Sequence, residues 1–99
     1  MDISEVILHI EELDEDLVIF AKRVDGQFVS SSEAVLLELT EEERVLKTSE
    51  IATKYCPGFD YFLEAFIVKE MAVDMKASNE YKTSEQILMR IISYAEFDA

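Results

Sequence analysis

Ninety-nine residues with 22 acids, 9 bases and a formal net charge of −13 describe a strongly anionic chain, whose field repels nucleic acid and anionic membrane and favours a basic protein as partner. Hydrophobic residues make up 49%, which is ample for one domain with its own core and excludes a disordered chain. A lone cysteine excludes an internal disulfide and points to a reducing compartment, the cytoplasm; the amino terminus has no leader-like pattern, and no apolar run reaches the roughly 20 residues of a membrane span.

Asp2 followed three residues later by Glu5 has the spacing of a capping box, and Ile3, Val6, Ile7, Ile10 and Leu13 recur at helical intervals. This pattern predicts a first helix over about residues 3–13. The run EELDED at 11–16 then sits at the helix's carboxyl end, where acids oppose the macrodipole. Either loop geometry tolerates that cluster or something outside the chain uses it. Residues 1–50 hold 14 of the 22 acids and only 4 of the 9 bases.

LVIFAKRV (17–24) and AVLLEL (34–39) are β-branched, aromatic or apolar runs of strand length. Asp25-Gly26 between them is a two-residue hairpin signal that pairs Val24 with Gln27. The expected unit is an antiparallel pair with 34–39 beside 17–22, returning irregularly through SSSE at 30–33. Two strands alone are marginal, so helices must cover one face.

Thr40 ahead of EEER starts a helical turn, and TSEIATKY (48–55) reads as a short helix stopped by CPG (56–58). From Phe59 to Ala77 charges are sparse and apolar residues recur at helical spacing, which predicts one long central helix over 59–77. Phe59, Phe62, Leu63 and Phe66 are then core residues, and Asp60, Glu64, Glu70 and Asp74 share an arc of about 120° with Ile67 and Met71. SNEYK (78–82) reads as a loop. Thr83 with Gln86 forms a second capping box, opening a last helix whose Ile87, Leu88, Ile91, Ile92, Tyr94 and Ala95 face the core. The fold class is α+β: a helix, a two-stranded antiparallel unit, then three helices with 59–77 central.

Chemistry-bearing motifs are few. A nucleophilic Cys56 needs a base and a source of positive charge, yet the one histidine, His9, lies on the first helix and Lys54 is a single cation in an acidic chain. Cys56 is therefore read as structural. Acid–base catalysis needs two carboxyls whose surroundings push their pKa values apart; Glu64, inside FLEAFI, is the one acid placed to be partly buried, and an edge position explains it better. Histidine pairs, CxxC spacing, a calcium loop and a phosphate-cradling glycine loop are all missing. The expectation is no enzyme, metal or cofactor.

Association remains. Aromatic anchors beside complementary charge are what an interface requires, and Asp14, Glu15, Asp16, Asp60, Tyr61 and Glu64 are the candidate partner-binding residues. The residues carry no signal for oligomeric state. The order of segments, SEAVLLEL, then YCPGFDYFLEAFI, then YAEFDA, resembles small bacterial immunity proteins of polymorphic toxin and contact-dependent growth inhibition systems. That resemblance implies an acidic cytoplasmic antidote that binds a cognate toxin domain, often a nuclease, stoichiometrically and without turnover. The alternative is a small adaptor or regulatory subunit that binds a cellular protein.

Overall fold

The computed structural model describes residues 1–80 and 83–98; Tyr81 and Lys82, which end the expected 78–82 loop, lie outside the described residues. The elements are α1 (Ile3–Leu8), a 3₁₀ turn at Ile10–Glu12, β1 (Leu17–Ala21), β2 (Ala34–Glu38), a second 3₁₀ turn at Glu43–Val45, α2 (Thr48–Tyr55), β3 (Asp60–Glu64), α3 (Ala65–Ala77) and α4 (Ser84–Phe97). The α+β class stands, with a three-stranded antiparallel sheet in the order β2-β1-β3.

The caps form as their residue spacing dictates. Asp2 Oδ1 accepts the Glu5 N–H at 2.9 Å while Glu5 Oε1 accepts the Asp2 N–H at 3.2 Å, and Thr83 and Gln86 exchange the same pair of bonds at 3.1 and 3.2 Å. Each pair satisfies amide donors that a helix start leaves orphaned. Asp25 and Gly26 both take positive φ, 52° and 82°, and Val24 and Gln27 exchange backbone bonds at 2.8 and 3.1 Å, as a primed two-residue turn demands. The irregular return through the serines also has a role: the Ser32 and Ser30 carbonyls accept the Ile3 and Ser4 N–H groups at 3.0 and 3.1 Å, completing the start of α1.

Two readings need correction. The first helix ends at Leu8 and passes into a 3₁₀ turn, so EELDED lies on that turn and the following loop, not on an α-helical carboxyl end. The segment expected to begin the long helix is β3: residues 60–64 pair antiparallel with β1, and the helix starts only at Ala65. The sheet therefore has three strands, not two.

β1 is the central strand and is buried on both faces. Ile19 and Ala21 join α1, α3 and α4 in the larger cluster, with Ile3, Val6, Ile10, Val68, Ile87 and Ile91. Val18 and Phe20 point the other way, to Leu39, Ile51, Ala52 and Cys56 beneath α2. This is the period-2 alternation of a strand sandwiched between helical layers. A bulge opposite Ile19 and Phe20 leaves Phe62 as the extra residue of β3, since Ile19 pairs with Leu63 and Phe20 with Tyr61. Phe62 and Leu63 consequently enter the same cluster. Phe62 meets Phe28 edge-on at 5.1 Å between centroids, a favoured aromatic geometry.

Candidate protein-docking surface

The acids divide into those engaged by the fold and those left outside it. Glu43 is 7% exposed. Its Oε1 accepts the Thr40 N–H at 3.0 Å, and Thr40 Oγ1 accepts the Glu43 N–H at 3.2 Å. Its other oxygen accepts Lys54 Nζ at 2.8 Å and the Tyr55 hydroxyl in a short bond. The Lys54 ammonium, followed by the Thr40 amide and Tyr55, pulls the Glu43 carboxyl down to about 2. Glu96, near the end of α4, accepts the Phe28 N–H at 2.5 Å and Arg23 Nη1 at 2.9 Å to both oxygens. Arg23 also stacks 4.1 Å over the Phe28 ring. The Phe28 amide and Arg23 hold the Glu96 carboxyl below the usual range, and the hairpin is thereby pinned to α4.

The 3₁₀ turn before β1 lies against α3. Between them runs an open groove of about 600 Å³ lined by Glu11, Glu15, Lys69, Glu70, Val73 and Asp74. α3 turns Ala65, Val68, Ala72 and Met75 inward, so the i, i+4, i+7 and i+8 positions Phe66, Glu70, Val73 and Asp74 form its outer stripe. Val73 is 57% and Phe66 43% exposed. In the groove four carboxylates thus face one half-buried lysine around one exposed apolar side chain, Val73. Glu11 is also held by Lys76 Nζ at 3.0 Å; among the described residues Glu15, Glu70 and Asp74 have no ion-pair partner.

The structure separates the six candidate residues. Asp14, Glu15 and Asp16 are exposed on the loop before β1, where Asp14 Oδ1 accepts the Asp16 N–H at 2.8 Å and the Asp16 carbonyl accepts Arg44 Nη2 at 3.0 Å. Glu64 pairs in register with Val18, so it stands at the same end of the sheet as Asp16, and it is the residue from which α3 springs. Asp60 pairs with Ala21 at the far end of β1 and is bound to Arg23 Nε at 3.3 Å. Tyr61 packs edge-on against Phe20, centroids 6.1 Å apart, under α2. Burial first, then the Glu64 charge, pushes its phenol up to about 12. Asp60 and Tyr61 thus lie away from the groove, Asp60 exposed beside Arg23 and Tyr61 half-buried against Phe20, while Glu15 lines the groove and Asp14, Asp16 and Glu64 lie at the end of the sheet where β1 starts.

Phe66, expected in the core, lies on the surface because α3 begins six residues later than the long helix did. Glu11, Glu70, Val73 and Asp74 join the site. The shared arc of Glu70 and Asp74 on a helical wheel was the signal for two of them; the packing of the 3₁₀ turn against α3 has no signature in the chain. Cys56 is buried in the α2 cluster, and burial pushes its thiol up, opposite to what a thiolate nucleophile needs.

A second cavity, about 310 Å³, lies between α1, α3 and α4; Ile7, Leu8, Ala72, Ile87 and Leu88 form the apolar half of its lining, and Glu5, Lys76 and Glu85 are among the polar half. It is more apolar than the groove and lacks its concentration of charge. Among the described residues no three His, Cys, Asp or Glu side chains are grouped to hold a metal ion, and no helix is long and apolar enough to cross a membrane. No family model, curated protein or solved structure matches the chain.

Proposed function

We propose that this chain is a non-catalytic antidote that holds a basic partner, a cognate toxin domain, in a stoichiometric cytoplasmic complex. The observation that carries the reading is the groove beside α3, where Glu15, Glu70 and Asp74 surround an exposed Val73 without ion-pair partners among the described residues. Carboxylates in excess over Lys69 and Lys76 raise the energy of the free protein, and docking of a cationic surface relieves that repulsion. Val73 supplies apolar contact area inside the groove, and the exposed Phe66 lies farther along the same outer stripe of α3. The resemblance to immunity proteins names the class of partner.

The test is calorimetric titration of the chain against the product of the gene adjacent to its own. A 1:1 complex is expected that weakens between about 0.05 and 0.5 M salt, because exposed charges are screened beyond a Debye length. The double reversal Glu15→Lys/Asp74→Lys should slow association severalfold while shifting stability by no more than about 0.5 kcal/mol. A complex indifferent to both salt and reversal, or no complex with a toxin from the neighbouring gene, removes the antidote reading.

A further inference from the structure

The sheet ends in two unlike edges. β3 carries the bulge at Phe62 and has α2 packed beside it, and both features discourage a further strand. β2 has neither, pairing with β1 in unbroken register from Ala34 to Glu38. The Lys22 N–H reaches the Glu33 carbonyl at 2.8 Å beside the Ala21–Ala34 pair. The alternation of an antiparallel ladder then turns the N–H and C=O groups of Ala34, Leu36 and Glu38 away from β1. The Ala34 amide is taken by the Met1 carbonyl at 2.9 Å. Among the described residues, no hydrogen bond is made to the outward N–H of Leu36 or Glu38.

The side chains of this edge are equally unfinished. Val35, Leu36 and Leu37 are half-buried, Leu36 packing toward the α1/α3/α4 cluster and Leu37 toward the α2 cluster. The strand itself contains none of the lysine or proline that usually blunts an edge. Glu33 and Glu38 stand exposed at its two ends, with Glu41 and Glu42 exposed just beyond.

We propose that the outer edge of β2 accepts an extended basic segment of a partner protein as a fourth strand. The inference rests on the chain being a binder of basic protein and adds a second contact, made through the backbone. Leu36 and Glu38 together offer two N–H and two C=O groups, a sequence-independent source of affinity. Specificity comes from position along the strand: apolar side chains at the middle of the added strand extend the half-buried Val35–Leu37 surface on both faces, and cationic ones at its two ends reach Glu33 and Glu38. A second copy of this chain would satisfy the same backbone groups, but it would bring −13 against −13. A basic strand replaces that repulsion with attraction.

The experiment is fluorescence anisotropy with a short synthetic peptide that has a valine centre and lysines at both ends, alongside the same peptide N-methylated at alternate amides. On the protein side, Leu36→Pro removes an outward N–H at a position where proline is tolerated because an edge strand's amide faces solvent, and with it the half-buried Leu36 side chain; thermal melts check folding, and the N-methylated peptide tests the backbone bonds without that loss. The plain peptide is expected to bind wild type, with N-methylation or Leu36→Pro each costing at least about tenfold in affinity. Glu33→Lys/Glu38→Lys should weaken it severalfold, while Glu15→Lys/Asp74→Lys should leave it unchanged, so failure at this edge is separable from failure at the α3 groove. No binding, or binding indifferent to N-methylation, overturns the proposal whether or not Leu36→Pro folds. A wild-type dimer in sedimentation that Leu36→Pro converts to monomer also overturns it, by identifying the occupant as a second copy.

Discussion

Carboxylates and phenylalanines are used in opposite ways in two regions of this molecule. In the seam joining the hairpin, β3 and α4, Glu96 meets Arg23 and the Phe28 amide, and Phe62 stands edge-on to Phe28 inside the core. Along the outer stripe of α3, Glu70 and Asp74 have no ion-pair partner among the described residues, and Phe66 is open to solvent. An acid that satisfies several donors is part of the fold, and its loss strands those donors. An acid surrounded by acids contributes only field, so its effect is felt by whatever approaches. Residue type does not separate the two regions; the number of donors in reach does.

The widest gap between the regions is expected from a matched pair. Phe62→Ala should cost about 3–5 kcal/mol in denaturant unfolding, since it empties a 1% exposed site, and Phe66→Ala should cost no more than about 1 kcal/mol. Equal losses would break the comparison at its root. Next in size, Glu96→Ala should cost about 1–3 kcal/mol because the Phe28 amide and Arg23 lose their acceptor, against about 0.5 kcal/mol or less for Glu70→Ala. A thermal melt of Glu96→Ala indistinguishable from wild type would show that the hairpin is held by packing alone.

The smallest effect sharpens the comparison through pH. The Glu43 carboxyl is held at about 2, below its ordinary 4.5, so between those values the unfolded chain binds more protons than the folded one. The contribution is complete above about 4.5 and disappears as pH falls through about 2. Glu43→Gln should lower stability at neutral pH and flatten the acid limb across that window, leaving the slope due to Glu96 and Asp2, whose carboxyls are also depressed. An unchanged acid limb would mean that Lys54 and Tyr55 do not hold Glu43 in solution.

Local chemistry was legible wherever a single residue dictates backbone geometry. Asp2 with Glu5, Thr83 with Gln86, and Asp25-Gly26 each determine their turn or cap within four residues, and each forms as read. β3 was not legible. DYFLE is a short apolar run whose period fits strand and helix alike, and strand passes into helix at Glu64–Ala65 with no glycine, proline or side-chain cap between them. The stop is earlier, at Gly58 with φ 90°, and it reads as the punctuation of the whole helix. Moving the helix start to 65 carries Phe66 from core to surface and takes Asp60 and Glu64 off the wheel they were to share with Glu70 and Asp74. The candidate surface changed for the same reason, since its groove depends on the Glu11 turn lying against α3, a contact between segments distant in the chain.

The layer beneath α2 is thin, closed by Val18, Phe20, Leu39, Ile51, Ala52 and Cys56, and it contains the chain's one thiol. A sulfur buried there, at the carboxyl cap of α2, meets a modifying reagent when that end of the helix opens, because burial both covers it and pushes its thiol up. Native-state labelling of Cys56 therefore reports opening on the α2 side of the sheet, with no engineered cysteine needed. Set against global unfolding, its rate would tell whether the two helical layers of this sheet part together or one at a time.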